Sequence, residues 1–169
     1  MIYNVDDFPR PALLLAGRKL QKGKVGNQGT KQQRKYIDIV TAFDIETSPC
    51  PELPGNAMMY VWQWCFYYPE KPDDYIVIIG RTWEQLLEFI RDLLPAINDY
   101  GTDASLVILV HNLSYEFQFL RTIYDFQPTD VFCLDSRKPA KCTMFNKQLE
   151  FRCTYVHSNM SLAQYTSKM

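Results

Sequence analysis

The run Ser105-Leu106-Val107-Ile108-Leu109-Val110 holds almost nothing that needs to face water. A strand with one solvated face alternates apolar and polar residues. Here apolar residues follow one another, which predicts a strand covered on both faces at the centre of a parallel or mixed sheet. Covering it takes helices, and the flanking sequence supplies them. From Thr82 onward Trp83, Leu86, Leu87, Ile90, Leu93, Leu94 and Ile97 recur at helical spacing, with Gln85 in capping-box position. Pro95 is predicted to bend or shorten the last turn, and Asn98-Asp99-Tyr100-Gly101 to close the helix. A second helix is predicted from about Ser114 to Tyr124.

Upstream, β-branched and aromatic residues predict a strand from Tyr36 to Glu46, ended by Pro49 and Pro51. Two more follow, over Met58–Tyr68 and Tyr75–Gly80, and the short turns between all three imply an antiparallel meander. Trp62, Trp64, Phe66, Tyr67 and Tyr68 in the second strand suggest core on one face and a partner surface on the other. Downstream, strands are expected near Asp130–Leu134, Lys141–Phe145 and Gln148–Val156, then the first turns of a helix opened by Ser161 and Gln164. The order predicts an α/β domain with a mixed sheet flanked by helices, over residues 36–169. Residues 1–35 read as a basic, polar N-terminal extension, with Arg18, Lys19, Lys22, Lys24, Lys31, Arg34 and Lys35 in a solvated, mobile loop or a hairpin, or in an arm that touches phosphates.

At 169 residues, with 47% hydrophobic residues, the chain is long enough for one domain with a full core. The net charge of −1 excludes a global field that attracts nucleic acid, so any such attraction must be local. Cys50, Cys65, Cys133, Cys142 and Cys153 are odd in number and lack Cys-x-x-Cys spacing, which argues against a zinc site and a disulfide framework. No apolar run approaches the length of a membrane span, and no signal peptide is visible. The expectation is a soluble cytoplasmic protein with no membrane partner.

Two segments carry chemistry. In Thr41-Ala-Phe-Asp44-Ile-Glu46-Thr47-Ser48 the carboxylates alternate on a strand, so both point to one face while Phe43 and Ile45 point to the other. Like charges on one face repel, and divalent cations held by hard oxygen ligands are the common remedy; a solvated acidic face is the plainer alternative. The second segment, His111-Asn112-Leu113-Ser114-Tyr115-Glu116-Phe117, lies where the buried strand hands over to a helix, a place where ligands gather in open α/β sheets. Glu116 there can join Asp44 and Glu46 around one cavity. Asn112 offers a neutral amide, and Tyr115 and Phe119, one turn apart, offer a stacking surface or core packing.

Together, Phe-Asp44-Ile-Glu46-Thr47 and His111-Asn112-Leu-Ser-Tyr115-Glu116 resemble the first two exonuclease motifs of family B DNA polymerases, above all the protein-primed polymerases of phages and linear plasmids. Glu150–Leu162 is similar to that family's strand and Ser-Leu segment at the primer end. The resemblance covers roughly residues 36–169 and implies a ribonuclease-H-like fold, with which the element order agrees. It further implies a 3′–5′ proofreading exonuclease that hydrolyses phosphodiesters at the 3′ end of single-stranded DNA with two metal ions, Mg²⁺ or Mn²⁺. Asp44, Glu46 and Glu116 would be the catalytic metal ligands, and Thr47, Asn112, Tyr115, Phe119 and Ser158 would hold the DNA end. The implied partners are that end, the remaining polymerase domains or a terminal protein, in a host cell carrying a phage or mobile element.

The sequence departs from the family in three places. Glu116 stands where the family has Asp, and His157 stands at an acidic position. The third motif, a Tyr followed four residues later by an Asp, is missing: Tyr165 and Met169 have the spacing but lack the carboxylate. The expectation is a domain truncated before that motif and weak in isolation, or a non-catalytic nucleic-acid- or protein-binding module derived from it. If Asp125, Asp130 or Asp135 comes within coordinating reach of Asp44, the enzyme gains; if none does, binding gains.

Overall fold

A computed structural model describes residues 1–8, 10–22, 34–52, 54–71, 73–136 and 138–167. The strands are β1 (Ile2–Asn4), β2 (Leu20–Lys22), β3 (Lys35–Ile37), β4 (Val40–Pro49), β5 (Ala57–Tyr67), β6 (Tyr75–Gly80), β7 (Ala104–Val110), β8 (Val131–Asp135), β9 (Lys138–Met144) and β10 (Leu149–Cys153). The α-helices are α1 (Trp83–Asn98), α2 (Leu113–Ile123), α3 (Tyr155–Ser158) and α4 (Leu162–Thr166). The main sheet runs β1-β6-β5-β4-β7-β10-β9-β8, with β2 and β3 off that path and β3 beside β7. β4, β5 and β6 form the antiparallel meander. As its apolar run predicts, β7 is central and parallel to both β4 and β10.

The faces follow from the pairing register. Paired residues share a face, so Phe43 with Trp64, Ile45 with Trp62, and Ile108 with Phe151 set one continuous apolar layer. Trp62, Trp64 and Phe66 are fully buried, and Phe89 of α1 packs against all three rings. Phe151 closes the layer edge-on against Phe43 at 6.1 Å. On the other face of β5, Val61, Gln63, Cys65 and Tyr67 are half-buried.

α1 begins as its capping box requires. The Gln85 backbone N–H donates to Thr82 Oγ1 and the Thr82 N–H to Gln85 Oε1, each at 3.2 Å. Pro95 does not shorten the helix, which runs to Asn98. It lies on the exposed side, where the carbonyl deprived of its donor meets water.

Three expectations change. The strand predicted from Tyr36 to Glu46 is two strands, broken at Asp38 and Ile39, and β4 extends to Pro49. The strand predicted to reach Val156 stops at Cys153, where α3 takes over. The described residues before 36 do not stand apart as an extension. β1 pairs with β6, Leu14 and Leu15 lie in the core, and Tyr68 and Tyr100 donate to the carbonyls of Leu14 and Leu15. Most of the basic stretch, residues 23–33, lies outside the described residues, as does Met169.

All five cysteines are free. Burial, reinforced by Asp130, pushes the Cys142 thiol up to about 12, so it stays protonated and inert. No helix among the described residues is long and apolar enough to cross a membrane.

Candidate functional site

β4 pairs with β7 over Thr41 and Ala42 and then runs on past it. Asp44 lies in that overhanging part. It is half-buried, and its Oδ2 accepts from Gln63 Nε2 at 3.2 Å across the β4–β5 pair. Glu46, two residues on, is exposed. The register shifts between Glu46 and Thr47, leaving Tyr60 as an extra residue on β5. Such a bulge bends the strand and re-aims the side chains beyond it.

α2 enters through Asn112, a non-glycine residue in the left-handed region at φ 63° and ψ 54°. That turn is sharp enough to bring the first helical turn back toward β4. Asn112 is exposed and its side chain caps nothing, so its amide is available. Tyr115 then reaches Thr47, with hydroxyl oxygens 2.5 Å apart, and meets Phe119 edge-on at 5.4 Å. Phe119 in turn lies 6.4 Å from Trp83 at the start of α1, so three rings line one wall.

Glu116 sits in the first turn of α2, only 3% exposed, with Oε2 left without a hydrogen-bond partner. Its carboxyl is pushed up to about 8. Burial is the largest cause, its own backbone hydrogen bond works against it, and the neighbouring charge and hydrogen bond of Asp44 push further upward. Held that high, the Glu116 carboxyl keeps its proton at neutral pH, which removes the like-charge repulsion with Asp44.

The structure thus brings Asp44 and Glu116 together, and Thr47, Tyr115 and Phe119 beside them. The three expected ligands do not gather as one group, and Glu46 is exposed. Among the described residues no three His, Cys, Asp or Glu side chains are gathered closely enough to hold a metal ion. Comparisons with models of known protein families, with curated proteins and with solved structures returned no match.

The three aspartates that could replace the missing ligand are engaged elsewhere. Asp130 accepts from the Gln127 backbone N–H, Asp125 from Gln127 Nε2, and Asp135 pairs with Lys138. Asp135 lies on β8, with β9, β10 and β7 between it and β4. Ser158, at the end of α3, bonds within its own segment, accepting from the Met160 N–H at 3.4 Å. Among the described residues no bond ties it to Asp44 or Glu116.

Two contributors escaped the sequence. Gln63 is an ordinary mid-strand polar residue until the β4–β5 register sets it opposite Asp44. Trp83 fits the apolar stripe of α1 so well that its place in the aromatic wall leaves no local trace. His111, at the turn after β7, holds Thr154 Oγ1 through Nδ1 at 3.1 Å, while its buried Nε2 has no partner.

The donor set suits one hard divalent cation between Asp44 and Glu116. Both donors are carboxylates, and Glu116 Oε2 is a buried acceptor without a partner. The pair does not amount to the ligands of two ions.

Proposed function

We propose that this chain is a ribonuclease-H-like domain of the kind that proofreads in protein-primed family B DNA polymerases. It holds the 3′ end of single-stranded DNA and shortens it slowly as a 3′–5′ exonuclease. One observation carries the reading: Asp44 and Glu116, from the two segments that resemble the exonuclease motifs, share a half-buried site beside an aromatic wall. The sheet order supports it, with β6-β5-β4 antiparallel and β4-β7-β10 parallel, as a ribonuclease-H-like fold requires.

Asp44 and Glu116 would hold a Mg²⁺ or Mn²⁺ ion, which would supply charge to polarise a phosphodiester and to acidify a water molecule. The chain's own residues do the rest of the positioning. Tyr115, Phe119 and Trp83 offer faces on which a terminal base stacks, and the exposed Asn112 amide donates to a sugar or phosphate oxygen. The Thr47–Tyr115 contact fixes the aromatic wall relative to Asp44. Glu116 would have to give up its proton to serve as a ligand.

The test is a gel assay of a labelled single strand with Mg²⁺ or Mn²⁺. Slow shortening from the 3′ end is expected, abolished by Asp44→Ala. Shortening that persists unchanged in that variant refutes the proposal.

A second reading is a non-catalytic module that holds a nucleic-acid end, another polymerase domain or a terminal protein. The observation that favours it is the convergence of two carboxylates rather than three. Strand binding without cleavage, in the same assay, selects it.

A further inference from the structure

A groove of about 820 Å³ lies over β8, β9 and β10, roofed at one side by Arg34 and by Tyr36 of β3. We infer that it binds the single-stranded nucleic acid that leads up to the Asp44–Glu116 site, a reading that rests on the function proposed above.

The pairing registers show how the two regions connect. Ala42 pairs with Leu109, Leu109 with Arg152, Arg152 with Lys141, and Lys141 with Phe132. These five residues form one row across β4, β7, β10, β9 and β8, on one face of the sheet. Asp44 lies on the same face, two residues beyond Ala42. From strand and residue spacings, Arg152 is about 12 Å from it.

The groove is cationic in a chain whose net charge is −1. Arg34, Lys141, Lys147 and Arg152 line it, against only two carboxylates, Asp130 and Glu150. Neither carboxylate is unengaged. Glu150, 2% exposed, holds Arg152 at 2.6 Å, and Asp130 caps the turn before β8. Arg152 is further held by the Tyr36 ring, 4.9 Å from its guanidinium. Arg34 is fixed by Ser105 Oγ and by the Lys147 carbonyl. Two guanidinium groups are thus set in place before any ligand arrives, and little side-chain entropy remains to be lost on binding.

The backbone is strained at the same place. Phe145, Asn146 and Lys147 are three successive non-glycine residues with φ of 50°, 53° and 68°. That conformation costs energy at each position, and here it turns the Lys147 carbonyl to Arg34 and Ser105. Beside the cations stands Phe132, 56% exposed. Four cations, two of them held in place, beside an open aromatic ring suit phosphates and bases that alternate along one strand. An acidic peptide would use the cations and leave the ring unused.

The experiment is fluorescence anisotropy in EDTA, so that no cleavage occurs, with 5′-labelled oligothymidylates of about 4 and about 12 nucleotides, spanning the usual site sizes. Lys141→Gln/Lys147→Gln is the variant. Both lysines lack an ion pair among the described residues, and Arg152 is spared because its loss would leave Glu150 buried and unpaired. Losing two phosphate contacts should weaken binding of the long strand about tenfold or more near 0.1 M salt, and lower the salt slope by about 1.4. Binding of the short strand, and of either strand to Lys71→Gln outside the groove, should not change. Unchanged long-strand affinity in the double variant overturns the inference. So does displacement of the oligonucleotide by polyglutamate at equal charge, which would mark a surface for acidic peptides. If Asp44→Ala leaves 3′ shortening intact while the lysine pair still controls long-strand binding, the end-site reading fails and the groove stands.

Discussion

Replacing Glu116 with Gln should make the protein less sensitive to alkaline pH, and more stable than the natural chain there. The Glu116 carboxyl ordinarily titrates at 4.5 and is pushed up to about 8 in the folded protein. Between those values the unfolded chain has released this proton and the folded chain has kept it. Folding stability therefore falls as pH rises through that window, by about 1.4 kcal/mol per pH unit. From pH 5 to pH 8 the loss from this one group is roughly 3 kcal/mol. Gln has the shape of the protonated acid, can donate to Asp44 as the acid does, and does not titrate. Urea denaturation of both proteins at several pH values reads the difference. At pH 5 the two should agree within about 1 kcal/mol, and at pH 8 the variant should be more stable by roughly 3 kcal/mol. Millimolar Mg²⁺ at pH 8 should then raise the stability of the natural chain and leave the variant unchanged, because only the natural chain can offer a second carboxylate. If the two stability–pH curves run parallel, Glu116 is not held protonated and the description of the site is wrong.

Gly80 has no room for a side chain: a Cβ there would lie 2.2 Å from the Trp62 ring, which is itself fully buried and donates to the Thr82 carbonyl. Gly80→Ala should cost about 3 kcal/mol and lower Tm in a thermal melt by roughly 6–12 °C; a loss of under about 1 kcal/mol would show that Trp62 can move. Thr82→Ala removes one half of the α1 capping box and should cost about 1 kcal/mol, read by the same melt, with no effect on strand binding.

What could be read from the chain alone were the features whose cause is local. The α1 cap depends on Thr82 and Gln85, three residues apart, and was predictable for that reason. The apolar run at 105–110 required a covered strand whatever its neighbours, and Ser161 and Gln164 cap α4 as their spacing implies. Register is a different matter. The bulge at Tyr60, just past Glu46, is set by how β4 and β5 pair, and no residue type there announces it. The break at Asp38 and Ile39 follows from β3 and β4 meeting β7 at different heights, a fact about β7 rather than about the break. The groove was hidden more deeply, since its cations come from a loop, a hairpin and two strands that look like ordinary solvated positions one at a time. The nearness of Asp44 and Glu116 could be anticipated because each sits in a short motif with its own pattern.

β7 has consequences for how the protein comes to be folded at all. Its partners are β4 and β10, and Ile108 pairs with Thr41 on one side and with Phe151 on the other. Neither is a near neighbour along the chain, so no hairpin can shelter the most apolar segment early, and distant pairings of this kind are slow to form. While a newly made chain waits for Phe151, residues 104–110 present a sticky, uncharged strand to any other copy nearby. Lower temperature and slower synthesis should raise the yield of folded protein more than any change to its surface.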